Sequence, residues 1–276
     1  MAKGEFYTVS TPIGNLKDIS NRALEILSSV DYIACEDKRV SSVLLSNFKI
    51  NKPLLGYQKH NEQESASKIL SLLNDGKSVA LISDAGVPCI SDPGKIIVNK
   101  LYKNGIKTTA IPGACAITTI LASSPREDEA FAFCGFLPRT KPTQEKIFEQ
   151  FKNVDLVFYE SQKRLIDTLN NIIEFRGNEQ KITIGRELTK KFEEIICAST
   201  EDVLDYFLKN PLKGEIAGIL YKTAKTCKQT FDDEIKNLLK EGFSVKDTAT
   251  IISILNETNK KDIYSKAVEI KQNFMN

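Results

Sequence analysis

The sequence predicts an α/β protein: two α/β domains followed by a small helical appendage. Three observations carry that expectation. Short apolar runs alternate with amphipathic segments five times before residue 124, and strands alternating with helices require a parallel sheet covered on both faces. Beyond SSPRED (123–128) the alternation continues, but KITIGREL and KFEEIICAS lie close enough for a hairpin, so the second sheet should have mixed strand directions. After about residue 229 the pattern is helical only. The expected domains are therefore 1–124, 125–228 and 229–276.

Taken in order, EFYTVS reads as the first strand, followed by the turn TPIGN and a helix over about 20–30. DYIACE is a second strand ending on two acids, SSVLLSNF a short helix and PLLGY a third strand. ESASKILSLLND is periodic at helical spacing. The strand KSVALI, a helix over 95–104, the strand KTTAIPG and the helix ACAITTILASS complete the first domain. In the second, FAFCGFL and DLVFYE are strands around the helix TQEKIFEQF, and a helix over about 162–175 precedes the hairpin. TEDVLDYFLK (helix) and EIAGILYK (strand) close it. The tail offers three helices, DDEIKNLLKEG, SVKDTATIISILNET and NKKDIYSKAVEIKQ, with serine or asparagine at cap positions. The last two resemble a helix-turn-helix. Seven basic residues against eight acidic ones from residue 230 on rule out a polybasic arm, and a packing or dimerisation appendage is the favoured reading of the tail.

Composition narrows the function. A chain of 276 residues with 41% hydrophobic content can bury a full core. It contains no run of the roughly 18 apolar residues needed to span a bilayer, and its start enters a strand pattern at once, so a cytoplasmic protein is expected. Cys35, Cys89, Cys115, Cys134, Cys197 and Cys227 form no CxxC or Cys/His cluster, which fits free thiols in a reducing compartment and no metal site. His60 is the single histidine and no GxSxG elbow is present, against a serine hydrolase. Net charge is +2, so nucleic-acid binding is not announced globally. Local excess occurs in Lys209–Lys228, with five lysines against Glu215 alone, and in PRTKP at 138–142.

In a parallel sheet ligands bind beyond the carboxyl ends of the strands. TPIGN, the ED pair, SDAGVPCISDPG and PGACA all follow strands and so collect at that edge. Asp37 sits where a dinucleotide fold places its ribose-binding acid, but TPIGNL is not GxGxxG, and Pro12 removes a backbone donor. No Walker lysine motif occurs. A ligand without a phosphate cradle fits better, and S-adenosylmethionine is such a ligand. Asp84 or Asp92 would accept from its amine or ribose, and Gly86, Ala114 and Ala116 leave room for close approach.

TPIGNL, ED followed by Arg39, SDAGVPCISDPG, IPGACA, GFLPR, FYES with Arg164, RELTK and KGE occur in this order. Together they resemble the ribosomal RNA small subunit methyltransferase I family of the tetrapyrrole methylase superfamily, over about Phe6 to Glu215. The resemblance implies a tetrapyrrole methylase-like fold and a homodimer. It implies S-adenosylmethionine bound in a cleft between the two α/β domains, and methylation of a cytidine ribose 2′-hydroxyl in the decoding region of 16S rRNA. By motif, the cofactor pocket would use Pro12, Ser83, Asp84, Ala85, Gly86, Ile90, Cys115 and Ala116, closed by Glu160 and Leu188 from the second domain. Three departures are visible: EDKR for EDTR, PGACA for PGPSA and YQKHNE for YHEHNE. Superfamily alternatives are a tetrapyrrole or diphthine-type methyltransferase, and a ribosome-binding module without activity is a third reading.

A ribose hydroxyl is protonated at neutral pH, so its methylation needs a base or a cation stabilising the alkoxide, together with positioning. The candidates at the expected cleft are Glu36, Asp37, His60, Arg186, Glu187 and Lys190, with Glu36, Asp37 and Arg186 preferred. Glu36 and Asp37 could instead cap a helix or pair with Arg39, and Arg186 with Glu187 could form a structural ion pair. Arg39, Arg139, Lys141 and Lys190 are the cations expected to face RNA phosphates.

Overall fold

A computed structural model describes residues 3–210, 213–223, 231–256 and 258–274. Cys227, Lys225, Lys228 and the boundary expected at 228–229 lie outside them. By its contacts the chain divides into Met1–Thr223 and Ala224–Asn276.

β1 (Phe6–Val9), β2 (Tyr32–Cys35), β3 (Leu54–Gly56), β4 (Val79–Ile82) and β5 (Thr108–Ile111) form one sheet in the order β3-β2-β4-β1-β5. Every pairing in it is parallel. The central strand β4 is buried at all four residues, because helices cover both faces and leave no solvent side. Its side chains alternate accordingly. Val79 and Leu81 pack with Ile69 and Leu73 of α3 (Glu62–Asn74) and with Ile97 and Leu101 of α4 (Lys95–Lys103). Ala80 and Ile82 pack with Ala23 and Leu27 of α1 (Asn21–Ser29) and Leu45 of α2 (Lys38–Asn47). α1 starts where Ser20 accepts a hydrogen bond from the Ala23 N–H at 3.1 Å. A short 3₁₀ turn at Leu16–Asp18, begun by Asn15 accepting from the Lys17 N–H, was not visible in the apolar pattern.

β6 (Phe131–Phe136), β7 (Asp155–Ser161), β8 (Lys181–Arg186), β9 (Glu194–Ser199) and β10 (Glu215–Leu220) form the second sheet, ordered β6-β7-β10-β8-β9. β6 and β7 are parallel and the other pairs antiparallel, so β8–β9 is the expected hairpin. α6 (Lys141–Gln150) makes the crossover between the parallel pair. One face carries Leu156, Phe158, Ile182 and Ile184 against α7 (Leu165–Arg176) and α8 (Thr200–Lys209). The opposite face, with Val157, Ala217 and Ile219, receives Ile117 and Ile120 of α5 (Ala116–Ala122), along with Ile13 and Leu188. The last helix of the first sheet's layer is thus packed into the second sheet. The two sheets share that apolar seam.

In the second unit, α9 (Asp232–Lys240), α10 (Val245–Leu255) and α11 (Lys260–Phe274) pack around Phe231, Ile235, Ala249, Ile252, Ile263, Ala267 and Ile270. Ser244 caps α10 by accepting from the Asp247 N–H at 3.1 Å.

Ile120 is fully buried in the seam, whereas Ile254 is 71% exposed. Ile120→Ala is expected to lower unfolding stability by about 2–4 kcal/mol through lost burial and a residual cavity. Ile254→Ala should change it by less than about 0.5 kcal/mol. Urea denaturation followed by circular dichroism checks both.

Candidate functional site

The loops at the carboxyl ends of β1 and β4 are tied together by backbone. The Thr11 N–H donates to the Gly86 carbonyl at 2.9 Å and the Gly86 N–H returns a bond to the Thr11 carbonyl at 3.1 Å. The Thr11 hydroxyl donates to the Ser83 carbonyl at 3.1 Å, and the Ser83 hydroxyl donates to the Gly86 carbonyl at 3.1 Å. Gly86 has φ +81°, a region open to glycine. Cys89, three residues later in the same loop, has φ +70° without being glycine. SDAGVPCISDPG is therefore a braced surface rather than a slack connection.

The RELTK loop faces it from the second sheet, and Glu187 and Thr189 hold φ +51° and +66°. Non-glycine residues in that region are strained and persist only where surroundings impose them. Gly14 of TPIGN shows the imposition: a Cβ there would lie 2.3 Å from Lys190 Cγ and 2.9 Å from Thr189 Oγ1. Lys190 Nζ donates to Glu187 Oε1 at 2.8 Å and to Glu215 Oε2 at 2.9 Å. The Glu215 N–H also donates to Glu187 Oε1, at 3.0 Å.

Between these loops lies a cavity of about 610 Å³. From the first domain it takes Glu36, Asp84, Ala85, Gly86, Ile90, Cys115 and Ala116, and from the second Glu160 and Leu188. Those nine were expected from sequence. Pro12 and Ser83 are not among the lining residues; both are buried behind the loop, and the Ser83 hydroxyl is occupied in bracing it. Sequence reasoning missed Ile13, Phe136, Tyr159, Gln162 and Glu215, and left Asp92 as an alternative. Strand periodicity could have found Tyr159, which shares a face with Val157 of the seam.

Among the lining residues none is lysine, arginine or histidine. Four carboxylates line it instead, those of Glu36, Asp84, Asp92 and Glu215, the last held by Lys190. Burial, then Asp92, Asp84 and Asp37, raise the Glu36 pKa above the ordinary glutamate value. Burial and then Asp84 raise that of Asp92. Such a wall favours a cationic ligand and repels a phosphate. Ile13, Ile90, Ala116 and Leu188 add apolar surface.

The other candidates are placed elsewhere. Asp37 lines a second, polar cavity, not the first. Its carboxylate caps α2 through the Arg39 N–H at 2.8 Å and takes the Arg39 guanidinium at 2.7 Å. These hydrogen bonds hold its pKa at about 2. The Glu160 carboxylate faces α7, not the cavity: Arg164 meets it at 3.0 Å and Thr168 donates to it at 2.9 Å. Only its main chain is available to a ligand. Arg186 lines neither cavity; across the β8–β9 hairpin it is paired with Glu194 at 3.0 Å. Arg186 and Glu187 take Glu194 and Lys190 as ion-pair partners, while the Arg186 charge also helps to lower the Glu187 pKa. His60 is exposed and lines neither cavity. Of the expected RNA cations, Lys190 sits between two carboxylates and Lys141 pairs with Glu174. Arg39 is paired but 91% exposed, and exposed Arg139 makes no ion pair among the described residues.

Fold and cavity together define a tetrapyrrole methylase-type protein, and the family model for Tetrapyrrole (Corrin/Porphyrin) Methylases matches residues 5–204. Two solved structures share the fold. Diphthine synthase aligns with TM-score 0.62 at 15% identity, covering 79% of this chain and 90% of its own. Uroporphyrin-III C-methyltransferase from Thermus thermophilus, complexed with S-adenosyl homocysteine, aligns with TM-score 0.56 at 16% identity, covering 80% and 99%. Ribosomal RNA small subunit methyltransferase I of Haemophilus influenzae is 39% identical over 272 residues, 95% of each chain. The chain belongs to the ribosomal RNA small subunit methyltransferase I family.

The Glu160–Arg164 pair gives a stability test. Arg164→Ala would leave a fully buried carboxylate without its cation, and a loss of about 3 kcal/mol is expected in chemical denaturation.

Proposed function

We propose that the chain transfers a methyl group from S-adenosylmethionine to the ribose 2′-hydroxyl of a cytidine in the decoding region of 16S rRNA. The observation that carries this reading is the cavity of about 610 Å³ lined by the carboxylates of Glu36, Asp84, Asp92 and Glu215 and by no cationic side chain. Its size is ordinary for a small-ligand site. Its charge suits a ligand bearing a sulfonium and an ammonium group, and its apolar wall suits an adenosyl group. Asp84 and Asp92 would hold the ammonium or ribose hydroxyls, and Ile90, Ala116 and Leu188 would pack on the adenosyl part. When bound, this cofactor supplies an electrophilic methyl on sulfur. Family membership supports the RNA substrate.

The chain's own contribution is proton handling at Glu36. Its carboxylate borders the cavity and its pKa is raised toward the working pH, as a general base requires. Asp37, with a pKa of about 2 and its oxygens already engaged, is the weaker base. In this reading Glu36 accepts the 2′-hydroxyl proton. Arg186, paired with Glu194 outside the cavity, acts as a support of the hairpin. The tetrapyrrole and diphthine alternatives rest on likeness of fold alone.

Incubating the protein with methyl-labelled S-adenosylmethionine and small ribosomal subunits lacking the modification, then digesting the RNA to nucleosides, should place label in 2′-O-methylcytidine. Label in no nucleoside, with cofactor still bound, would contradict the reading. Glu36→Gln is expected to lower kcat by about 10²–10⁴-fold. The cofactor's affinity should also depend on pH. A carboxyl with a raised pKa keeps its proton to higher pH, and a cationic ligand requires it to leave, so binding releases protons. Affinity is therefore expected to fall as pH drops through the raised values of Glu36 and Asp92. Calorimetry in buffers of different ionisation enthalpy checks the sign, and proton uptake on binding would refute it.

A further inference from the structure

Glu36 borders a second cavity, of about 650 Å³, whose walls differ in chemistry from those of the first. Three cations line it, Lys38 and Arg39 from the start of α2 and Lys68 from α3, beside Asp37 and Glu64 and the neutral polar Gln58, Asn61 and Ser65. Arg39 is neutralised by Asp37. Lys38 and Lys68 are exposed and make no ion pair among the described residues. Gln58, Asn61 and Ser65 bring groups able to donate or accept, although Asn61 Oδ1 already accepts from the Gln58 N–H at 2.8 Å and the Ser65 hydroxyl donates to the Gly56 carbonyl at 3.0 Å. Leu54, Leu55 and Ile69 supply an apolar floor.

Glu36 can meet a substrate only from a space that it borders. The first cavity, with Glu36, Asp84, Asp92 and Glu215 and no cation among its lining residues, is hostile to a phosphodiester chain. The second has unpaired cations at its rim, hydrogen-bonding side chains and an apolar floor, the combination a nucleotide requires. We propose that this second cavity receives the target nucleotide, turned out of the RNA chain, with Lys38 and Lys68 on the phosphates that flank it. Turning a nucleotide out is how enzymes reach atoms that stacking hides. The two cavities would then adjoin at Glu36, so that the 2′-oxygen reaches the methyl carbon directly past it, the carbon–sulfur bond breaks as the carbon–oxygen bond forms, and Glu36 takes the hydroxyl proton. This assignment rests on the RNA reading above.

The test compares the full-length protein with Lys38→Ala/Lys68→Ala, Lys38→Arg/Lys68→Arg, Gln58→Trp and a control, Lys103→Ala/Lys107→Ala, at the opposite edge of the first sheet. The readouts are S-adenosylmethionine Kd, KM and kcat on unmodified small subunits, and the slope of log affinity for 16S rRNA against log salt. The alanine pair should raise KM for RNA at least tenfold and flatten the salt slope by about 1.4, since each lost single-strand phosphate contact removes about 0.7. The arginine pair should restore the slope. Gln58→Trp should fill the recess and block methylation with the cofactor Kd unchanged, and the control should match wild type. Wild-type KM and salt slope in the alanine pair, together with wild-type turnover in Gln58→Trp, would overturn the recess while leaving the RNA reading intact. Wild-type protein that binds the cofactor but labels no RNA would overturn both.

Discussion

The apolar seam between the two sheets is the constraint on which the rest of the structure depends. α5 leaves the parallel sheet and sets Ile117 and Ile120 against Val157, Ala217 and Ile219 of the mixed sheet. Hydrophobic burial has no direction of its own, so orientation comes from close backbone approaches around the seam. Gly14 lies against Leu188–Lys190, and a Cβ on Gly185 would lie 3.0 Å from Leu188 and 3.2 Å from Ile120. The carboxylate-lined cavity is the space that these contacts leave at the carboxyl edge of the first sheet. Its floor and roof come from different sheets, so neither sheet could form it alone.

Backbone strain gathers where the seam meets the cavity. Cys89, Glu187 and Thr189 take left-handed conformations within loops that line or close it. The Lys190 bridge to Glu187 and Glu215 ties the strained turn to β10. Burial and mutual repulsion then shape the carboxylates on the other wall. Glu36 and Asp92 are raised, whereas Asp37, beside them in sequence but turned to Arg39, is lowered. Adjacent acids thus acquire different chemistry from the side of the strand end on which each one lies.

Much of this was legible in the residues. The order of apolar runs gave the parallel sheet, and the loops TPIGN, ED, SDAG and PGACA do meet at one edge. The misplacements have one physical source. In FYES and GREL both neighbours of a residue can be buried, because the second sheet is covered on both faces, so hydrophobicity does not reveal which side chains face the cavity. Glu160 and Arg186 fall on the α7–α8 side, and Tyr159 falls on the other. Ion pairs were equally hidden. Lys190 looked like a free cation until Glu215, 25 positions away in sequence, was seen beside it.

The central claim is that the carboxylate-walled space between the sheets is the cofactor site. A crystal structure of the protein with S-adenosyl homocysteine tests it most directly. The account predicts density between Asp84 and Ile90 on one side and Leu188 on the other, with no lysine or arginine side chain in contact. Ligand density in the second cavity, or anywhere outside the space between the sheets, would contradict it.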